Sequence, residues 1–301
     1  MTTTTVPAGS EAPARSDASA RSDVPGRPVR RTRPLRAPGL ATFGAMLARE
    51  LRVMRRHGLT VLLRVILQPL LTVFVFAYVL PHLGGFGRPG PRGPEFATIL
   101  VPGMVATATM MTGMMSVIFP LMTELGWAKE IADRLLAPLP VWGIALQKIV
   151  SGAIQALLAG VAVFPIALLL HAPGHAPQVH VTNWPMLVLI LVLAAFLAPS
   201  IGLLLGTVGN PEKTNQMFSF ILMPAAMLGC VYYPWQALHA IPWLQVAVLA
   251  NPIVYASEAL RSVLTPNVPH MSPWVFLPVL AGGTLVIGFL STRTFTRRVI
   301  D

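Results

Sequence analysis

Long apolar runs with almost no charge dominate the sequence. Six stretches are long enough to cross a bilayer, whose hydrocarbon core of about 30 Å needs roughly 20 residues of apolar helix. Because the runs are continuously apolar rather than alternating, they predict helices and not the strands of a β-barrel. The predicted spans lie at about 59–80, 96–122, 149–170, 186–209, 217–235 and 273–291.

The low charge content excludes most other classes of protein. Only 11% of the 301 residues are charged and 54% are hydrophobic, whereas a soluble domain has about 25% charged residues. Too few polar groups remain to cover a water-soluble globule. The single cysteine, Cys230, excludes an intramolecular disulfide framework and a Cys-based zinc cluster. The predicted fold class is an all-α membrane protein with six transmembrane helices.

The basic residues indicate an orientation. With six spans, 19 of the 22 Lys and Arg residues fall on the side of the two termini, and 3 fall on the other side. Cytoplasmic segments of membrane proteins carry an excess of Lys and Arg. The sequence therefore predicts cytoplasmic amino and carboxyl termini.

Residues 1–39 differ in composition from the rest. They are rich in Thr, Ser, Pro, Ala and Arg, with almost no large apolar side chains, so burial cannot offset the entropy of ordering the chain. We expect a disordered basic arm, with the transmembrane domain at 40–301. The run Arg30-Arg31-Thr32-Arg33 favours a topology anchor near anionic lipid over a contact with nucleic acid.

A segment at 40–57 precedes the first span. Its apolar residues recur at helical spacing and most of its cations lie off that stripe: Phe43, Leu47, Leu51 and Met54, against Arg52 and Arg56. This pattern predicts an amphipathic helix along the cytoplasmic interface, next to lipid headgroups. A plain anchor for the first span fits the same residues equally well.

The loop between the second and third spans concentrates charge in a charge-poor protein. Opposite charges four residues apart support a short helix, and prolines end it before the next span. Its charges and apolar edge predict a docking surface for a cytoplasmic partner, the alternative being a solvated loop. The residues are Glu124, Trp127, Lys129, Glu130, Asp133, Arg134, Leu135, Leu136 and Pro138.

The region between the fifth and sixth spans is apolar but broken by Pro242 and Pro252. Each piece is too short to cross, which predicts short external helices dipping into the outer leaflet. Glu258 and Arg261 are three residues apart and can neutralise each other at modest depth. Aromatic residues suit the headgroup level, and here they are Trp235, Trp243 and Tyr255.

Two patterns within the spans leave alternatives open. Small residues at every fourth position of the fourth span allow close approach of another helix, either by ordinary packing or at a dimer interface: Ala194, Ala198, Gly202 and Gly206. Methionines in the second span suit a surface that fits varied apolar cargo, or ordinary core filling. This candidate substrate path is Met104, Met110, Met111, Met114 and Met115.

Motifs for catalysis are absent from the sequence. No P-loop, nucleophile elbow or zinc-protease motif occurs, so any energy source is expected on another chain. We expect no catalytic, cofactor or metal residues. His171, His175 and His180 share a predicted external loop without acidic or Cys ligands, which disfavours a metal site.

Two local motifs carry a family resemblance. The first is Asp133-Arg134-Leu135-Leu136-Ala137 with Pro138. The second is Asn251-Pro252-Ile253-Val254-Tyr255 with Glu258-Ala259-Leu260-Arg261. With these motifs in this order, residues 40–301 resemble the ABC-2 family of ABC-transporter permeases, which includes drug, polysaccharide and lipid exporters.

The resemblance implies two permease chains joined to two ATP-binding subunits. Residues 124–138 and 40–57 would receive the motion that ATP hydrolysis generates, and substrate would pass between the permeases along spans one, two and five. We expect an exporter permease for a hydrophobic or amphipathic compound, such as a drug or lipid-like molecule, in the plasma membrane. The alternatives are export of a polysaccharide or glycolipid, and a membrane enzyme or assembly factor without a transport role.

Overall fold

Most of the described residues are helical. The computed structural model describes residues 43–49, 52, 67, 70–72, 74–79, 96–126, 141–169, 178–208 and 220–300. The α-helices are labelled α1 (Phe96–Gly126), α2 (Val141–Leu169), α3 (Trp184–Val208), α4 (Pro242–Ala247), α5 (Pro252–Leu264) and α6 (Pro273–Ile300). Two 3-10 helices flank α4, and a π-helical turn lies in the first predicted span: Trp235–Ala240, Val248–Ala250 and Phe74–Val79.

Four helices in the described part of the chain are long and apolar enough to cross a membrane. Their apolar stretches are Thr98–Met122, Val141–Leu169, Trp184–Val208 and Pro273–Arg298. They lie in α1, α2, α3 and α6, and they confirm the second, third, fourth and sixth predicted spans as helices. The predicted arm at 1–39 and most of the first span lie outside the described residues.

Three helices extend past the predicted bounds. The prediction began the third span at 149, after the polar pair Gln147 and Lys148, but α2 already begins at Val141. Both polar side chains are only 6% exposed. This stretch is therefore buried in the protein, although polar residues are expected outside a span. Helix α1 continues through Glu124 to Gly126, and α6 continues beyond 291 to Ile300. No proline or glycine interrupts α6 after Gly288.

The predicted fifth span ends earlier than expected. Residues 220–227 are helical, but the chain leaves the helix at Leu228 rather than at 235. Gly229 follows, and Cys230 has a φ of 53°. Cys230 lies in the turn that follows the helix, beyond its last helical residue, Met227. Residues 228–233 therefore form a turn outside the membrane-spanning helices.

Small residues bring α1 and α3 into close contact. A Cβ atom on Gly202 would lie 2.5 Å from the carbonyl oxygen of Met114, and one on Gly206 would lie 2.8 Å from Cδ2 of Leu121. Ala194 and Ala198, on the same face of α3, are fully buried. Helix α1 of the same chain thus covers this face, which supports the packing interpretation over the dimer interface.

Prolines lie inside the long helices without ending them. Pro102 lies within α1, Pro165 within α2 and Pro199 within α3. A Cβ atom on Gly152 of α2 would lie 2.7 Å from Cβ of Pro199, so the proline ring fills space that a glycine leaves. The packed bundle tolerates proline where an isolated helix would not.

The contacts between helices fix their relative directions. On α3, Gly202 lies against Met114 and Gly206 against Leu121, so α1 and α3 are parallel. The Thr284 hydroxyl of α6 donates to the Leu193 carbonyl at 3.2 Å, while Arg298 donates to the Thr207 carbonyl.

Helix α6 is therefore parallel to α3. Arg298 meets a carbonyl in the last turn of α3, where backbone acceptors lack intrahelical partners and a cation is favourable.

Helix α2 runs in the opposite direction. A Cβ atom on Gly113 of α1 would lie 3.1 Å from Cβ of Ala156 on α2, while Gly160 faces Thr109. Residue numbers therefore rise along α2 as they fall along α1. The bundle consequently has one end where α1, α3 and α6 begin, which we call the Trp184 end, and one where they finish.

Candidate functional site

A buried ion pair lies at the centre of α5. Glu258 and Arg261 are one helical turn apart, both side chains are 0% exposed, and Nη1 of Arg261 donates to Oε1 of Glu258. This confirms the predicted mutual neutralisation. A buried pair of charges needs further hydrogen bonds to offset its loss of hydration. The bonds that Glu258 and Arg261 make identify the elements that the pair holds together, while Nε of Arg261 has no hydrogen-bond partner among the described residues.

The Glu258 carboxylate accepts two backbone hydrogen bonds from different segments. Oε1 accepts from the Trp235 N–H at 2.9 Å, and Oε2 accepts from the Met271 N–H at 2.9 Å. Trp235 begins a 3-10 helix, and Met271 lies shortly before α6. One carboxylate therefore joins the start of the predicted external helices to the segment just before the last span.

The Arg261 guanidinium extends this network to the turn after residues 220–227. Nη2 donates to the Cys230 carbonyl at 2.9 Å, and the Ser257 hydroxyl donates to the Gly229 carbonyl at 3.0 Å. Burial lowers the pKa of Arg261 from its usual value, while the charge of Glu258 opposes that change. The pair thus connects the turn, the external helices and α6 through one helix.

The Asn-Pro motif explains where α5 begins. Oδ1 of Asn251 accepts from the Ile253 N–H at 3.1 Å, which caps the helix, and Pro252 occupies the first position, which needs no N–H donor. Nδ2 of Asn251 donates to the Ala225 carbonyl at 2.6 Å. The Tyr255 hydroxyl donates to the Leu249 carbonyl at 2.9 Å. Each polar residue of this external motif therefore has a partner.

We name these residues the external cluster, after the predicted external segment to which they belong: Asn251, Tyr255, Ser257, Glu258 and Arg261, with their partners at 225, 229–230, 235, 249 and 271. The cluster is packed against the spans. A Cβ atom on Gly103 of α1 would lie 2.6 Å from Cα of Val231, so the turn rests directly on the α1 backbone. Ala256 and Leu260 of α5 belong to the main core with Leu100, Phe276 and Leu280.

Sequence reasoning found the ionic residues but not their partners. These partners are backbone groups, namely the amides of Trp235 and Met271 and the carbonyl of Cys230. Because every residue type has a backbone, the sequence does not indicate which residue will provide such a partner. Gly103 was also missed, although a glycine beside Pro102 inside a span is a recognisable sign of close backbone approach.

The predicted cytoplasmic surfaces lie mostly outside the described residues. Glu124 is on the last turn of α1, and the rest of the predicted docking helix, including Glu130, Asp133 and Arg134, is not described. Residues 43–49 of the predicted interfacial helix are helical, with Phe43 and Leu47 half-buried and Arg49 exposed. Arg52 is exposed too, whereas Leu51, Met54 and Arg56 are not among the described residues.

The methionines of the candidate substrate path pack inside the bundle. Met104, Met110, Met111 and Met114 are buried in the main core, and Met115 packs against it half-buried. Their burial fits the core-filling interpretation within a single chain. A substrate path along them remains a prediction.

The structure adds nothing to the case for a metal site. His180 is exposed, and its backbone N–H donates to the Leu264 carbonyl at 3.1 Å, while His171 and His175 lie outside the described residues. Among the residues that are described, no group of three or more His, Cys, Asp or Glu could hold a metal ion.

Cys230 provides a direct probe of the external cluster. Burial raises the pKa of its thiol to about 12, with a further rise from Glu258. Because the thiolate is the reactive form, we expect almost no maleimide labelling of folded protein between pH 7 and 9. Labelling should be rapid after denaturation, where the pKa returns to about 8.5. Since the chain has one cysteine, mass spectrometry reads this site alone, and fast labelling of the folded protein would contradict the burial.

Comparison with known proteins identifies the family. The family model described as ABC-2 type transporter matches residues 41–265, which is most of the chain. The chain belongs to the ABC-2 type transporter family. The match includes α1, α2, α3 and the whole of α5 with its ion pair, and it confirms the resemblance seen in the sequence. With its apolar helices, this chain is a multi-pass membrane component of a transporter.

Curated relatives agree with the family. The inner membrane transport permease YadH of Escherichia coli strain K12 is 27% identical over 194 residues, covering 64% of this chain and 72% of the relative. The YadH protein of Shigella flexneri matches to the same extent. Both relatives are named as transport permeases, and the ABC-2 family places this chain among proteins that work with ABC transporters.

Proposed function

We propose that this chain is the transmembrane permease subunit of an ATP-binding-cassette exporter. The family match over residues 41–265 carries the proposal, and the relatives named as inner membrane transport permeases support location in the inner, or plasma, membrane. In this arrangement two permease chains associate with two ATP-binding subunits. The permease supplies the pathway and its partner supplies the energy.

The absence of a nucleotide-binding motif supports a separate energy source. The sequence contains no GxxxxGK[ST] stretch, whose backbone and lysine would hold the phosphates of ATP. We assign coupling to the charged segment 124–138 and the interfacial helix at 40–57. Charged side chains concentrated next to an apolar edge provide both specificity and contact area for a cytoplasmic ATPase.

The helix directions support cytoplasmic termini. Arg293, Arg297 and Arg298 lie near the end of α6, away from the Trp184 end of the bundle. The charge at the Trp184 side of α5, Arg261, is neutralised by Glu258. Because cations are retained on the cytoplasmic side, we assign the finishing end of α6 to the cytoplasm and the external cluster to the outside.

The charge distribution favours a hydrophobic or amphipathic cargo. Between Thr214 and Thr292 the sequence contains two charged residues, Glu258 and Arg261, and they are paired with each other and buried. A pathway for a polyanionic glycan would require accessible cations to compensate its charge. Drug-like or lipid-like compounds need no such compensation, and we therefore propose them as the class of substrate.

Assembly with an ATPase tests the coupling assignment. Glu130→Lys and Arg134→Glu reverse charges in the proposed docking segment and should abolish co-purification of an ATP-binding subunit in mild detergent. Membrane insertion should be unchanged, because neither residue lies in a predicted span. Arg92→Glu, in the predicted external loop, is the matched control and should leave assembly intact. Wild-type protein that never retains an ATPase would contradict the proposed function, whereas intact assembly of both variants would overturn only the docking site.

A further inference from the structure

Lys148 is a buried cation inside a membrane-spanning helix. It lies in the first third of α2, and its side chain is only 6% exposed. An ammonium group taken out of water loses its hydration, and only an opposite charge with good hydrogen bonds compensates that loss. An acidic side chain is therefore expected close to Lys148.

Two acidic residues lie in the helices that the structure describes, Glu124 and Glu258. Glu258 is paired with Arg261, and both lie toward the Trp184 end of the bundle. Helix α2 runs opposite to α1, so α2 begins at the other end, where α1 finishes. Glu124 is in the last turn of α1. Of the two, Glu124 is therefore the one at the same end of the bundle as Lys148.

The glycines of α2 fix its register against α1. Gly160 faces the Thr109 hydroxyl, and a Cβ atom on Gly152 would lie 3.1 Å from Cγ2 of Val117. Eight residues back along α2 thus correspond to eight residues forward along α1. Both helices continue without a break toward this end, so the same correspondence extends to the end of α1.

This register places Glu124 beside the start of α2. Seven residues after Val117 is Glu124, and seven residues before Gly152 is Ala145, so Glu124 and Ala145 are level. Lys148 is one turn from Ala145, about 4.5 Å along the axis at 1.5 Å per residue. Long side chains of a helix lean toward its N-terminus, which in α2 is the direction of Ala145. The lysine side chain is long enough to cover this difference in level.

Both residues also lie on the faces where α1 and α2 pack together. Leu121 of α1 shares a buried core cluster with Ile144 and Ala145 of α2. Glu124 follows Leu121 by three residues, and Lys148 follows Ile144 by four. Residues at these spacings occupy one face of a helix. The acid and the cation therefore extend the same interface by one turn on each helix.

We propose that Lys148 and Glu124 form an ion pair that joins the end of α1 to the start of α2. This inference rests on the proposed function, in which segment 124–138 contacts a cytoplasmic ATPase. Glu124 then faces its own chain at the base of that segment, and Lys148 is a positioning residue for the docking surface. Force on the segment acts on both helices together, because separating their ends would leave two charges unpaired in an apolar interior.

Thermal unfolding of the full-length protein in mild detergent tests the pair without any partner. Lys148→Met and Glu124→Gln each leave one charge unpaired and should lower the midpoint by roughly 5 °C or more. The double variant removes both charges and should be more stable than either single variant. Gln147→Met is the matched control, because Gln147 is equally buried and its effect should add to that of Glu124→Gln. A Lys148→Met and Glu124→Gln double variant no more stable than the worse single variant would overturn the pair.

Retention of the ATP-binding subunit separates positioning from simple stability. Well below every midpoint, Lys148→Met should lower the amount of co-purified subunit several-fold, whereas Lys148→Arg keeps the charge and should retain it. Gly103→Ala is the control, since its new Cβ would meet the Val231 backbone near the opposite end of α1. Equal loss in Gly103→Ala and Lys148→Met would overturn the positioning role. Wild-type protein that retains no subunit would contradict the proposed function, while the unfolding midpoints would still decide the ion pair.

Discussion

Replacing Arg261 with methionine is expected to lower the free energy of unfolding by about 3–5 kcal/mol, the cost of breaking a buried ion pair from one side. The variant leaves the Glu258 carboxylate buried without its counter-charge and removes the donor to the Cys230 carbonyl. Denaturant titration in mild detergent, followed by circular dichroism, measures the loss. Arg293→Met is the matched control, because Arg293 is exposed and its loss should change stability by no more than about 0.5 kcal/mol.

The double variant Glu258→Met with Arg261→Met separates the ion pair from simple packing. Removing both charges leaves no uncompensated ion, so its destabilisation should be well below the sum of the two single variants. The Arg261→Met variant should also expose Cys230 to maleimide under native conditions, because its turn loses a connection to α5. Additive losses, or unchanged Cys230 labelling, would show that the pair does not hold the external cluster together.

Replacing Gly103 with alanine is expected to destabilise the protein by about 1–3 kcal/mol, as overpacking of a closed contact does. The new Cβ would lie 2.6 Å from Cα and 2.8 Å from the carbonyl carbon of Val231. These are backbone atoms, which cannot rotate away as a side chain can, so we expect the upper part of that range. The thermal unfolding midpoint in detergent, followed by intrinsic fluorescence, measures the effect.

Gly282→Ala is the matched control for this substitution. Gly282 also lies within a long helix, but a Cβ atom there would meet nothing within 4 Å in its own chain. Alanine has the higher helix propensity, so this variant should be neutral or slightly stabilising. Equal midpoints for the two variants would show that the turn at Val231 can move away from α1 at little cost.

The external cluster connects elements that we expect to move together during transport. Through Glu258 and Arg261, α5 holds the turn after 220–227, the start of the external helices and the segment leading into α6. The pair is buried, and separating its members would expose an unpaired charge to an apolar interior. We therefore expect the last span and the external helices to shift as one unit during transport.

Much of the fold could be predicted because it depends on local sequence. Apolar runs of about 20 residues predict spanning helices, and four of these occur in the described part of the chain. The spacing of Glu258 and Arg261 places their side chains on one helix face, and Asn251 with Pro252 is a recognisable helix start. The order of such local motifs was enough to recognise the ABC-2 family.

Other features depend on contacts between distant residues. The third span is predicted to begin at 149, yet the polar residues Gln147 and Lys148 before it are buried within α2. The fifth span was extended to 235 because the sequence stays apolar, but the turn at Gly229 and Cys230 is stabilised by donors from Ser257 and Arg261. The burial of Met104, Met110, Met111 and Met114 likewise depends on how α1 packs against the other helices, and a substrate path along these methionines stays a prediction.

The sequence by itself determined that this protein is a helical membrane protein of the ABC-2 family, because hydropathy, helical spacing and short motifs are properties of neighbouring residues. Only the tertiary structure decided which backbone groups form hydrogen bonds with Glu258 and Arg261. It also decided which glycines are in close contact with the backbone of another segment, and which tryptophans remain exposed. Those outcomes depend on where segments far apart in the chain meet. Backbone amides and carbonyls are the same at almost every residue, so their pairing leaves no trace in the sequence.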